Sequence, residues 1–257
     1  MYDRFIKYVN SVKEIQNSDF KSNEDYTYVL EHVSYNLGLQ YLNLIKTIHS
    51  YIDNSLILKF ILLNDKYGNP KKYTFFFNSE SSFEASPTSL RYILHALDIL
   101  KYYKTKNLRD IVEIGCGYGG LFLAINFFSN ELNIQIDRYF LIDLEDNNRL
   151  INMYLMGHSN VINIKYSTKK ANNYGADIET TELFLISNYC FTEIDSESRK
   201  KYIKHLFNKV NSGYIIWQTC LGVTKQDTNI LNKNIIDISE ELPQTANEVN
   251  KNFIVLF

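Results

Sequence analysis

The chain is poor in residues that mark several protein classes. Among 257 residues there are three prolines, three cysteines and a single tryptophan. Cys116, Cys190 and Cys220 are odd in number and far apart, and they form no Cys-x-x-Cys pair, which argues against a disulfide framework. Each falls near the carboxyl end of an expected strand, where a thiolate metal site would be chemically open to them, but small buried side chains are the simpler reading. No apolar run reaches the roughly 20 residues that a membrane-spanning helix needs. The start, Met1-Tyr-Asp-Arg-Phe-Ile-Lys7, lacks the apolar stretch of a secretory leader, so a cytoplasmic location is expected. An excess of one charge is also missing. The 27 Lys and Arg against 29 Asp and Glu leave −2, which gives no broad footprint for nucleic acid as a partner. No internal repeat or long linker interrupts the chain. What remains, 45% hydrophobic and 22% charged, is an ordinary globular composition, long enough for one large domain with an extension.

The richest stretch is Asp110-Ile-Val-Glu-Ile-Gly-Cys-Gly-Tyr-Gly-Gly-Leu121. An apolar run (Ile111, Val112, Ile114) ends in glycines, and a helical apolar pattern follows at Leu121, Phe122, Ala124, Ile125 and Phe128. That order is strand, tight loop, helix. Gly115, Gly117 and Gly119 allow a sharp turn and a close ligand approach, and the helix start presents free N–H groups. A nucleotide-like ligand suits such a loop. A second strand, Tyr139-Phe-Leu-Ile142, ends in Asp143, where a carboxylate can take two ribose hydroxyls.

Strands and helices alternate from Asp110 onward: strands at 110–115, 138–143, 160–166, 183–187 and 213–219, helices at 119–129, 145–156 and 195–209. This pattern predicts a mostly parallel α/β sheet with helices on both faces. Asn234–Ser239 and Phe253–Phe257 read as closing strands, and 167–181 as a polar connection. Before Asp110 the periodicity predicts helices at 2–16, 24–50 (with Gly38 as a break) and 53–64, then a turn at Tyr67–Pro70 and a strand at Lys72–Phe77. Ser86-Pro87 starts a further helix that runs to about Tyr103. His32 and His49 read as surface or core residues, and His158 as a helix C-terminal residue. The expected division is a helical extension or cap over 1–107 and a ligand-binding domain over 108–257.

Glu113-Ile-Gly-Cys-Gly-Tyr-Gly119 resembles the first motif of class I S-adenosylmethionine-dependent methyltransferases, and Asp143 resembles their ribose-binding acid. An NAD-binding Rossmann domain is the structural runner-up. Ser86-Pro-Thr-Ser-Leu-Arg-Tyr92, Ser187-Asn-Tyr-x-Phe-x-Glu193 and Gly213-Tyr-Ile-Ile-Trp-Gln218 resemble a sugar O-methyltransferase family. The resemblance covers roughly 84–104, 110–156 and 183–219. It implies a Rossmann-like class I methyltransferase sheet and S-adenosyl-L-methionine as cofactor, held by Glu113, Gly115, Gly117, Tyr118, Gly119, Asp143, Ser86, Ser89 and Asn188. Ser86 and Ser89 have a second reading, as helix caps alone.

Ligands of open α/β sheets bind beyond the strands' carboxyl ends near the switch point, so 188–193 borders the transfer site. Tyr189, Thr192 and Trp217 are the expected acceptor contacts, and core packing is the equal alternative for both Tyr118 and Trp217. A sugar hydroxyl needs a base or a metal to lower its pKa. Glu193 is the first choice of base or metal ligand and His95 the second, with helix capping and core filling as their structural alternatives. Some members of the resembled family use a divalent metal, but no ligand spacing here establishes one. The expected reaction is methyl transfer to a sugar hydroxyl, on a nucleotide-linked sugar or a bacterial surface (capsular) polysaccharide unit. The alternatives are a methyltransferase for another small molecule or a protein side chain, or a non-catalytic cofactor-binding subunit. Oligomeric state is not legible.

Overall fold

A computed structural model describes residues 2–30, 33–219 and 222–257; His32 and Cys220 lie outside the described residues. The chain falls into two compact units. The first comprises Met1–Lys101, Gly117–Asn133 and Arg149–Asn163, and the second Tyr102–Cys116, Ile134–Asn148 and Ile164–Phe257.

The first unit begins with α1 (Tyr2–Ser11), α2 (Glu24–Thr27), α3 (Tyr35–Ile48) and α4 (Asn54–Asn64). The helical stretch expected over 24–50, with a break at Gly38, instead forms α2 and α3, which part before Tyr35. The Ser34 side chain accepts the Leu37 N–H at 3.2 Å and starts α3 afresh, an N-cap that local propensity strongly favours. Gly38 does not break this helix; it lies inside α3, where a Cβ would come to 2.8 Å from the Phe75 ring and 3.1 Å from Pro87. The strand expected near 72–77 is β1 (Tyr73–Asn78), and it pairs antiparallel with β2 (Ser81–Ala85). Then come α5 (Pro87–Tyr103), α6 (Gly120–Glu131) and α7 (Glu145–Met156), of which α6 and the greater part of α7 belong to this unit. Phe5, Phe20 and Tyr26 form a buried ring cluster, and Phe60 of α4 meets Phe127 and Phe128 of α6.

The second unit holds the main sheet. Among the described residues it has seven strands: β3 (Asp110–Ile114), β4 (Arg138–Asp143), β5 (Lys165–Lys170), β6 (Leu183–Asn188), β7 (Val210–Trp217), β8 (Asp237–Glu240) and β9 (Phe253–Leu256). Their order is β5-β4-β3-β6-β7-β9-β8. Only β9 runs against its neighbours. This is a Rossmann-like sheet, mostly parallel and closed by C-terminal strands. All five β3 residues are buried, as parallel strands covered on both faces must be. The helix α8 (Ser196–His205) joins the same core through Tyr202, which shares a buried cluster with Val112, Ile142, Leu185 and Trp217.

The third parallel strand differs from expectation. The apolar pattern predicts it at 160–166, but it runs Lys165–Lys170, with no fully buried residue. It is the sheet edge, and edge strands carry polar and charged side chains that discourage further pairing. The chain winds outward from β3 through β4 to β5 and then returns to β6 on the other side of β3, so the switch point lies between β3 and β6. No helix among the described residues is long and apolar enough to cross a membrane.

Candidate functional site

The carboxyl ends of β3, β4 and β6 converge within the second unit. The chain leaves β3 at Gly115, whose N–H donates to the Ile142 carbonyl at 2.9 Å. The next N–H, of Cys116, donates to Asp143 Oδ2 at 2.7 Å, while the Leu144 N–H donates to Asp143 Oδ1 at 2.7 Å. Asp143 therefore closes the end of β4 onto the glycine loop. Gly115 has φ +78° and Gly117 φ +55°, a region that glycine enters without penalty. The two serve different ends. A Cβ on Gly115 would overlap Cys190 Cβ and Sγ, whereas the nearest atoms to one on Gly117 are Tyr92 Oη at 3.7 Å and Leu30 Cδ1 at 4.0 Å. Gly115 is a packing notch, whereas a Cβ at Gly117 would meet only ordinary van der Waals contacts.

Glu113 is 2% exposed, and its Oε2 accepts the Tyr139 hydroxyl at 2.8 Å. Burial pushes its pKa up to about 8; the Tyr139 hydrogen bond opposes the shift and the charge of Asp143 adds to it. Burial likewise raises the Cys116 and Cys190 thiols well above the usual range, so both stay protonated and neutral at physiological pH.

At the end of β6, Ser187 Oγ donates to the Ile114 carbonyl at 2.9 Å and accepts the Phe191 N–H at 3.2 Å. It fastens the β6 turn to β3. Asn188 and Tyr189 are partly exposed, and Tyr189 has φ +58°, an outlier for a bulky side chain. Glu193 is exposed, and its Oε1 accepts Gln218 Nε2 at 3.0 Å. The buried Thr192 donates to Gln218 Oε1 at 3.3 Å. Glu193 is not the cap of α8; Asp195 takes that role, accepting from the Glu197 and Ser198 N–H groups. Trp217 is fully buried, with its indole N–H on the Thr224 carbonyl at 2.9 Å. It offers no face for an acceptor to stack on.

The remaining expected residues belong to the first unit. Ser86 caps α5 by accepting the Ser89 N–H at 3.2 Å. The anion at this helix start is the chain's own Asp65: it accepts the Ser86 N–H at 2.7 Å, Ser86 Oγ at 2.6 Å and Ser89 Oγ at 2.7 Å. Hydrogen bonds to a charged group contribute roughly 1.5–3 kcal/mol each, so these serines are committed to holding Asp65. Tyr118 is 1% exposed. Its hydroxyl donates to Asn64 Oδ1 at 3.1 Å, its ring meets Phe20 and Tyr154 edge-on, and the Lys21 ammonium lies 4.3 Å from its centroid. Tyr118 is thus the hub of an aromatic core and has no free face for adenine. His95 is buried beside Tyr41. Burial first and the Arg91 charge second hold its pKa down to about 3, so it is neutral at physiological pH. His158 follows α7 and is buried between Tyr67 and Tyr154.

Gln218 and Glu241, which sequence reasoning did not single out, complete this end of the second unit. Gln218 directly follows Trp217 in a quoted motif, and that adjacency was its only signal. Glu241 had none. Among the described residues, no group of three or more His, Cys, Asp or Glu is placed to hold a metal ion.

No protein-family model and no curated protein matches the chain. Among solved structures it is similar to the magnesium protoporphyrin IX methyltransferase ChlM from Synechocystis PCC 6803 with bound SAM, at 10% identity over 88% of this chain and 98% of that one, TM-score 0.47. It is similar to the glycopeptide N-methyltransferase MtfA complexed with S-adenosyl-L-homocysteine, at 6% identity over 63% and 85%, TM-score 0.47. A third is TehB from Haemophilus influenzae, at 15% identity over 62% of this chain and 60% of TehB, TM-score 0.45. At these identities and scores nothing of their chemistry transfers to this chain by similarity.

Proposed function

We propose that this chain is an S-adenosylmethionine-dependent methyltransferase whose acceptor is a sugar hydroxyl, on a nucleotide-linked sugar or a surface polysaccharide unit. The observation that carries the first part is the Asp143 carboxylate pinned by the Cys116 N–H at 2.7 Å. It puts an acid at the end of β4, against the glycine loop where it leaves β3 at Gly115 and Cys116. These residues fit a nucleoside-bearing cofactor: Asp143 would accept ribose hydroxyls, and the 115–119 backbone would take the close approach. Glu113, within β3, and Asn188, at the end of β6, are the further residues we assign to this cofactor site. Ser86 and Ser89, engaged with Asp65, and the buried Tyr118 are left out of this set.

When bound, the cofactor supplies a sulfonium-activated methyl group that an acceptor oxygen can take by in-line displacement. The protein has then to orient the acceptor and receive its proton. Glu193 Oε is the proposed proton acceptor, oriented by Gln218, which Thr192 holds in turn. His95 is the weaker candidate, because its low pKa leaves little basicity. The metal that the resemblance leaves open finds no fitting donor set among the described residues, and no step is assigned to one. The sugar acceptor is supported by the resemblance at Ser187–Glu193 and by the polar side chains there.

A methyl-transfer assay against nucleotide-activated sugars, with and without added divalent metal, tests the proposal. The expected result is a methylated sugar together with S-adenosylhomocysteine. Transfer only to non-sugar acceptors would keep the reaction and remove the sugar.

A further inference from the structure

Strand β8 runs parallel to β3 and β6, so the connection that follows Glu240 emerges at the same carboxyl-terminal edge as the glycine loop. It opens with Glu241, a carboxylate only 1% exposed. Four donors satisfy it: the Tyr189 hydroxyl, the Thr245 N–H at 3.1 Å, Thr245 Oγ1 at 2.7 Å and Asn252 Nδ2 at 3.1 Å. A buried charge is tolerated only with such a set. The connection is closed on itself as well. Glu241 N–H donates to the Asn252 carbonyl at 3.0 Å, and Asn252 N–H donates to Gln244 Oε1 at 2.8 Å. Thr219 Oγ1, next to Gln218, donates to the Lys251 carbonyl at 2.9 Å. Residues 241–252 therefore form a preordered loop tied to the Gln218–Thr219 segment.

Tyr189 joins the two sides. Its left-handed backbone is costly for a tyrosine and persists only where the surroundings over-determine it. Here Cys190 fills the notch at Gly115, while the Tyr189 hydroxyl is held by Glu241. One strained turn thus touches the glycine loop on one side and the 241–252 loop on the other. The same edge carries Glu193 and Gln218, a mixture of hydrogen-bond donors and acceptors suited to a polyhydroxylated molecule.

We infer that Tyr189 and Glu241 are a positioning pair for the acceptor and that 241–252 is the loop that selects it. The inference rests on the methyltransferase reading. Glu241 acts through Tyr189 and the loop, and Tyr189 orients the acceptor hydroxyls relative to Glu193.

The test uses the full chain, Tyr189→Phe, Glu241→Gln and the double variant, with UDP-glucose, dTDP-glucose and GDP-mannose as acceptor probes. Turnover, acceptor KM, S-adenosylhomocysteine affinity and melting temperature are measured for each. Either single change should raise acceptor KM by at least about tenfold, with kcat changed much less and S-adenosylhomocysteine affinity preserved. The double variant should be no worse than the poorer single one, because both act through one hydrogen bond. A fall in melting temperature at unchanged KM would show a purely structural pair and overturn the inference. So would a loss of S-adenosylhomocysteine affinity, which would assign the pair to the cofactor. If the wild-type protein binds S-adenosylhomocysteine but methylates none of the three probes, the nucleotide-linked sugar is not its acceptor and the inference falls with it. Failure of the wild-type protein to bind S-adenosylhomocysteine refutes the methyltransferase reading itself, before any variant is compared.

Discussion

Glu113 inside β3 should make the stability of this protein fall as pH rises. In the folded chain its pKa is about 8 against an ordinary 4.5, because the carboxyl is buried. Between those two values the native state holds a proton that the unfolded chain has released, so stability is lost with rising pH. The loss is about 1.4 kcal/mol per pH unit and is complete above about pH 8. Glu113→Gln keeps the shape and an oxygen for the Tyr139 hydroxyl, but it cannot ionise. Relative to wild type, the variant should gain about 3 kcal/mol between pH 5.5 and 7.5. For a chain of this size that corresponds to roughly 6–12 °C in melting temperature. His95 and His158, whose pKa values are held down to about 3, give a slope of the opposite sign below about pH 6.5. They are present in both proteins and cancel in the difference. Calorimetric melts of the two proteins across pH 5–9 make the measurement. Parallel curves would mean that Glu113 is already ionised at neutral pH and would refute the reasoning.

Gly115→Ala should destabilise the fold much more than Gly117→Ala: both adopt positive φ, but only the first pushes a methyl into Cys190. Left-handed strain alone costs about 1–2 kcal/mol, so a melting-point loss at Gly115 no larger than at Gly117 would contradict the notch. Asp143→Ala should weaken S-adenosylhomocysteine binding at least about tenfold and lower the melting temperature, since the Cys116 N–H loses its acceptor; unchanged calorimetric affinity would place the ribose elsewhere. Glu193→Gln should reduce methyl transfer about a hundredfold or more at unchanged S-adenosylhomocysteine affinity. Near-normal turnover at saturating acceptor would remove it as the base.

The alternation of strand and helix from Asp110 to Trp217 is legible in the sequence because buried parallel strands read as largely apolar runs (Leu183–Ile186 throughout, Ile111–Ile114 but for Glu113) and glycines mark the first turn. Two elements were obscured by tertiary context. The edge strand β5 reads Lys-Tyr-Ser-Thr-Lys-Lys, whose polarity is that of a loop, while the apolar Val161, Ile162 and Ile164 before it imitate a strand. The break before α3 is set by the Ser34 cap within a segment whose apolar periodicity continues across it. At the candidate site, the glycine loop and Asp143 are local signals and could be read. Asp65 and Glu241 could not, because Asp65 acts on Ser86, 21 residues away, and Glu241 on Tyr189, 52 residues away. Nor does sequence separate an aromatic that faces a ligand from one that fills a core: Tyr118 and Trp217 are both buried, each with its polar tip satisfied inside the protein.

Calorimetric titration of the purified chain with S-adenosylhomocysteine and, separately, with NAD is the most direct measurement of the central claim. The glycine loop closed by Asp143 predicts saturable binding of S-adenosylhomocysteine at one site and no binding of NAD. Tight NAD binding with no response to S-adenosylhomocysteine would contradict it.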